Sequence, residues 1–190
     1  MPSPLAELLG ALAHVFDRLS LRWYLFGAQA AIVHGAARLT GDVDATVDLG
    51  GLTTAALVSA LGEAGFALRT SDVDRFVERT RVLPLVHDTS GMPVDIVLAG
   101  PGLEELFLQR AQEHLVEGVA IPVACAEDIV SMKILAGRSK DIDDVVAVLA
   151  AGGDTIRIEL IRETLRLLEQ ALAQSDLLPA FEEALQQAHR

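Results

Sequence analysis

Apolar residues at Leu5, Leu8, Leu9, Leu12, Val15, Phe16 and Leu19 recur at the spacing of one helix face, which predicts a helix over 5–19. Arg22 to Phe26 then switches to a short apolar and aromatic run that predicts a strand ending at Gly27. Ala28 to His34 is rich in helix formers and predicts a short helix that stops near Gly35, so Gly27 stands at a strand-to-helix turn. From Asp42 to Asp48 polar and apolar residues alternate strictly, the period of a half-buried strand with its carboxylates on one face.

Further on, Thr53 to Ala64 predicts a helix with Leu57 and Leu61 inward, and Phe66 to Arg69 a short strand. Val82–His87 and Met92–Leu98 flank the turn sequence Asp88-Thr89-Ser90-Gly91, which predicts a β-hairpin with Asp95 in its returning strand. Gly102 to Leu115 returns to helical spacing and Val119 to Val123 suits a short strand. From Cys125 onward the pattern is helical, with segments near 126–136, 139–151, 155–174 and 179–188. The chain thus divides into an α/β portion over 1–124 and a helical portion over 125–190, expected to pack on it.

Composition narrows the class. At 190 residues and 51% apolar, the chain can bury a core without staples and is no disordered or low-complexity chain. The lone Cys125 excludes a disulfide framework and a multi-cysteine zinc site, and points to a reducing cytoplasm. No segment reads as a signal peptide or a membrane span. The net charge of −12 opposes a long nucleic-acid footprint but leaves room for a locally basic phosphate pocket. Within that charge, 13 of 15 basic residues are Arg, and both lysines, Lys133 and Lys140, fall in one eight-residue stretch.

Candidate chemistry gathers in four places. Asp42 and Asp44, two apart on a predicted strand, point to one face, where two carboxylates repel unless a divalent metal joins them. The spacing also suits a plain solvated edge, and Asp72 with Asp74 and Asp141 with Asp143 repeat it. Asp95 interrupts an apolar strand and can bring a third carboxylate to the first two, either for a shared second metal or as a general base. Gly27 opens a helix whose first N–H groups suit a phosphate. Lys133, Arg138 and Lys140 form the basic block, with Lys140 able alternatively to pair with Asp141 or Asp144.

Gly27-Ala28-Gln29-Ala30, then Arg38-Leu39-Thr40-Gly41-Asp42-Val43-Asp44, then Val94-Asp95-Ile96-Val97, resembles the minimal nucleotidyltransferases of the polymerase-beta-like superfamily. The likeness is greatest to the group of AbiEii-type toxins, whose second block resembles Glu127 to Asp144 here. The resemblance implies an α+β fold, a mixed and mostly antiparallel sheet flanked by helices with a helical C-terminal portion. It further implies Mg2+ held by Asp42 and Asp44, with Asp95 binding a second metal or taking the acceptor proton. Gly27, Ala28, Arg38, Thr40, Lys133, Arg138 and Lys140 are then expected around an NTP such as ATP. Ala28 departs from the Gly or Ser of that group and keeps only the backbone donor.

The implied reaction moves a nucleoside monophosphate from NTP to a hydroxyl, with release of pyrophosphate. An RNA 3′ end, a partner protein's Ser or Tyr in a toxin–antitoxin pair, and a cationic antibiotic are the competing acceptors. A non-catalytic nucleotide-binding antitoxin or regulatory relative is the alternative, and Ala28 is its support.

Overall fold

The computed structural model describes residues 2–189. The chain forms two compact units: a sheet unit reaching to Gln29 and resuming over Thr40–Ala124, and a helical unit of Ala30–Leu39 with the chain from Cys125 onward. The segment Ala30–Leu39 therefore belongs with the helices and not with the α/β portion that surrounds it in sequence.

The sheet unit holds seven strands: β1 (Arg22–Phe26), β2 (Val43–Asp48), β3 (Phe66–Leu68), β4 (Val82–His87), β5 (Pro93–Leu98), β6 (Gln112–Val116) and β7 (Val119–Val123). They lie in the order β3-β4-β5-β2-β1-β7-β6. The β2–β5 and β1–β7 pairs are parallel and the rest antiparallel, so the sheet is mixed and mostly antiparallel, as expected. Its helices are α1 (Pro4–Arg18), α3 (Thr54–Glu63), α4 (Val73–Thr80) and α5 (Leu103–Arg110), while α2 (Gly27–Val33) begins in this unit and ends in the other.

One face of the sheet is the core. Val43, Ala45 and Val47 of β2, Val94 and Ile96 of β5 and Leu83 and Leu85 of β4 are buried, together with Leu9, Leu12 and Phe16 of α1 and Leu57 and Leu61 of α3. Phe16 meets Trp23 with ring centroids 5.0 Å apart, which joins α1 to β1. The strict alternation of β2 produces this arrangement, since period-2 strands send successive side chains to opposite faces.

The helical unit contains α6 (Ala126–Ala136), α7 (Ser139–Gly152), α8 (Ile158–Leu172) and α9 (Leu177–Ala188). Contacts run between α6 and α7, α6 and α8, α7 and α9, and α8 and α9. Ile161 and Leu165 of the α8 stripe are buried, and Leu172 at its end is exposed.

One predicted element is corrected. The helix expected over 102–115 stops at Arg110, and its tail is strand β6, paired with β7. Glu117 and Gly118 both have positive φ, the requirement of a two-residue hairpin turn, and this local chemistry overrides the helical spacing. Asp72 and Asp74 stand at the start of α4, as a solvated helix start: Asp72 is its N-cap, its side chain accepting from the Arg75 N–H. With no buried residue, α4 lacks the core stripe by which a helix is recognised in sequence.

Candidate active site

Strand register builds the acidic edge. Asp44 of β2 is the direct partner of Asp95 of β5, in parallel pairing, so the two side chains share the sheet face opposite the core. On the other side Asp44 faces Phe26 of β1, immediately before Gly27. Asp42 lies just before β2 instead of inside it, and there it is exposed, accepting a hydrogen bond from the Thr40 hydroxyl.

Gly27 is the tightest fit in this corner. Its φ of +68° is in the left-handed region, and a Cβ placed on it would come 2.0 Å from Asp44 Oδ2 and 2.8 Å from Asp44 Cγ. Only glycine lets the Asp44 carboxylate lie against the backbone at the start of α2. The sequence marks Gly27 as a turn, whereas the structure shows that it also makes room for the acidic group.

The opposite end of the same face is closed. Arg22 of β1 donates to both oxygens of Glu105, at 2.8 Å each, and to Asp48. Those hydrogen bonds from Arg22, ahead of one from Gln109, hold the Glu105 carboxyl down at about 2. Between the two ends, Phe107 of α5 meets Tyr24 edge-on with centroids 6.5 Å apart. The third aspartate of the alternating strand is therefore consumed by an ion pair, and the acidic group that faces outward is that of Asp42, Asp44 and Asp95.

Arg69 is the residue that sequence reasoning missed. Just past β3, it donates through Nη2 to Asp95 Oδ1 and through Nε to the Leu85 carbonyl at 2.8 Å. Both side chains of the ion pair are partly exposed, 38% for Arg69 and 45% for Asp95. No motif marks it, because 26 residues separate the partners and only the pairing of β3, β4 and β5 brings them together.

The donors fit a hard divalent cation in kind, being carboxylate oxygens throughout, and Asp44 and Asp95 stand side by side on paired strands. In the present arrangement, no group of three or more His, Cys, Asp or Glu side chains among the described residues is gathered to hold a metal. Asp42 is turned to Thr40 and Asp95 to Arg69.

The basic block belongs to the helical unit, and of its three residues Lys133 looks inward. Helix α6 ends at Gly137, so Lys133 and Lys140 do not share a continuous helix face. Lys133 is buried, with Nζ 2.6 Å from Asp144 Oδ2 and 3.2 Å from Asp141 Oδ1. Arg38 donates to Asp144 Oδ2 at 2.8 Å, and Arg138 donates to both oxygens of Asp141. Burial pushes the Asp141 carboxyl up, but Arg138 and Lys133 outweigh it and hold it below the ordinary carboxylate range. Lys133 thus takes the place that the sequence reading left open for Lys140 as partner of these aspartates. Lys140 is exposed and forms no ion pair among the described residues; with Arg38, Leu39 and Asp143 it lines a surface hollow.

Cys125 is buried, and that burial, with Asp128 next to it, pushes its thiol up.

No protein-family model matches the sequence, and no curated protein matches it. Among solved structures, the antibiotic-resistance factor ANT(2'')-Ia superposes with a TM-score of 0.61 at 14% identity, covering 87% of this chain and 91% of that one. An antigenic nucleotidyltransferase-like protein from Paracoccidioides brasiliensis follows at 0.56 and 20% identity, covering 96% and 94%. The lincosamide antibiotic adenylyltransferase LnuA, solved with lincomycin, gives 0.52 at 15% identity over 75% and 94%. The mixed sheet, the order of its parts and these three superpositions together establish that the chain has the nucleotidyltransferase fold.

Proposed function

We propose that the protein is a magnesium-dependent nucleotidyltransferase, moving a nucleoside monophosphate from an NTP such as ATP to the hydroxyl of an acceptor. The observation that carries this reading is the direct register of Asp44 and Asp95, with Gly27 packed on the Asp44 carboxylate. Asp42 and Asp44 hold the cation in this reading. Bound Mg2+ supplies charge neutralisation on the triphosphate and polarises the phosphoryl oxygens.

The chain's own residues position and deprotonate. Gly27 and Ala28 offer backbone N–H groups to the phosphates; Ala28 is buried, so its side chain contributes packing alone. Thr40 orients Asp42 through its hydroxyl, and Lys140 is an exposed cation of the helical unit. Lys133 and Arg138 act instead by holding Asp141 and Asp144. Asp95 accepts the acceptor's hydroxyl proton as that oxygen bonds to the α-phosphorus. The bond from the α-phosphorus to the oxygen bridging the β-phosphate breaks, and pyrophosphate leaves. Few side chains are needed because the work is orientation and charge neutralisation.

A small-molecule hydroxyl is the acceptor this reading favours. The net charge of −12 disfavours a long grip on RNA. The neighbours solved with adenylyl-2''-tobramycin and with lincomycin hold small molecules. The buried, free Cys125 suits a cytoplasmic location.

The test is incubation of the protein with labelled NTPs and Mg2+ in the presence of aminoglycosides and lincosamides, total RNA or total protein. Label is expected in a small-molecule fraction, abolished by EDTA and reduced at least about a hundredfold by Asp44→Ala. Label confined to RNA ends or to a partner protein moves the acceptor to the toxin–antitoxin alternatives. Nucleotide-dependent thermal stabilisation with no labelled product, or equal labelling by Asp44→Ala, overturns the catalytic reading.

A further inference from the structure

We infer that Arg69 is the positioning residue of Asp95: its guanidinium holds the carboxylate and competes with a divalent cation for it. The inference rests on the metal-binding reading above and extends it to a residue outside the motif.

The geometry is specific. The Arg69 backbone N–H donates to the Pro84 carbonyl at 3.0 Å, and its Nε donates to the Leu85 carbonyl at 2.8 Å. Pro84 is the register partner of Asp95, and Leu85 that of Val94. The side chain therefore crosses β4 with its root and its Nε both fixed on that strand, and Nη2 is delivered to Asp95 Oδ1. An arginine held by its backbone N–H on one carbonyl and by its Nε on the next is aimed, not simply attracted. Asp95 Oδ2 takes no hydrogen bond from a described residue, so one carboxylate oxygen stays available while the other is held.

Charge supplies the reason for the pairing. Asp95 lies beside Asp44 in strand register, with Asp42 two residues before Asp44, and like charges at this spacing repel. Arg69 offsets that repulsion when no cation is bound. Because the pair is partly exposed, it is a weak one, which a doubly charged ion among several carboxylates can displace.

Titration of the full-length protein with Mn2+, followed by the electron paramagnetic resonance signal of the free ion, tests this without turnover. Arg69→Gln is expected to bind Mn2+ about three- to tenfold tighter than wild type, since one neighbouring positive charge and one competitor are gone. Arg69→Lys, which keeps the charge, is expected to stay near wild type, and Arg69→Gln with Asp95→Asn to lose the gain. Thermal unfolding of each variant within a few degrees of wild type confirms an intact fold; should Arg69→Gln unfold, Arg69→Ala takes its place with the same expected gain in Mn2+ affinity. If wild type binds Mn2+ but Arg69→Gln binds no tighter, or the gain survives Asp95→Asn, the role of Arg69 is overturned and the metal reading stands. If neither wild type nor any variant binds Mn2+, both fall.

Discussion

Asp44 with Asp95 in the sheet unit and Asp141 with Asp144 in the helical unit are both aspartate pairs met by cations, yet they are opposite in kind. Asp95 is 45% exposed and its partner Arg69 38% exposed, whereas Asp141 and Asp144 are 2% and 6% exposed around a Lys133 that is itself 7% exposed. In the helical unit three cations, Arg38, Lys133 and Arg138, meet two carboxylates, so both buried aspartates are matched within the unit. In the sheet unit the cation is peripheral and one carboxylate oxygen of Asp95 is left open. The same residue types form a closed network where burial makes an unmatched charge costly, and a receptive edge where water lowers that cost.

The comparison breaks most sharply at Lys133. Lys133→Ala leaves two buried carboxylates short of a charge and is expected to destabilise the protein by about 3 kcal/mol or more, read from urea unfolding. Arg69→Ala under the same conditions should change stability by less than about 1 kcal/mol, because its pair is exposed. A similar loss from both would erase the distinction.

Next in size is Gly27→Ala. Its Cβ would meet Asp44 Oδ2 at 2.0 Å from a backbone held at positive φ, so a cost of about 1 to 3 kcal/mol is expected. Nucleotide transfer should fall by more than that cost explains, since the displaced atom is the Asp44 carboxylate. Unchanged activity in a folded Gly27→Ala protein would separate this glycine from the site.

The smallest effect is in acid, and it reports on the buried carboxylates of the helical unit. Burial pushes Glu127 up, but hydrogen bonds from Arg157 outweigh it and hold the carboxyl at about 2, while Asp141 is also held low. A carboxyl depressed in the folded state contributes its full stability above its unfolded value near 4.3 and loses it as pH falls toward 2. Stability is expected to drop on the order of 1 kcal/mol by pH 3 relative to pH 6, and Glu127→Gln should flatten that slope. A slope unaffected by Glu127→Gln would place the acid sensitivity elsewhere.

Much of the fold was legible because its strands are locally consistent. β1, β4 and β7 match their predicted spans residue for residue, since β-branched and aromatic runs bounded by Gly, Asp and Ser leave little choice. β6 was hidden because the spacing of α5 runs on into it, and its identity depends on pairing with β7 through a turn with two positive φ values. The acidic residues were legible as types, since Asp inside an apolar strand has no structural purpose of its own. Arg69 was not, because a guanidinium that reaches across a neighbouring strand leaves no local pattern.

What the sequence by itself determined, then, is the alternation that sets Asp44 and Asp95 on the polar face of a sheet, and the glycine that precedes a short helix. Local propensity and periodicity suffice for that, because they act between near neighbours. Only the tertiary structure decided which charges are spent: Lys133 went inward to Asp141 and Asp144, Arg38 to Asp144, and Arg69 to Asp95. Burial and long-range register set the cost of each unmatched charge, and neither is a property of any stretch of chain read alone.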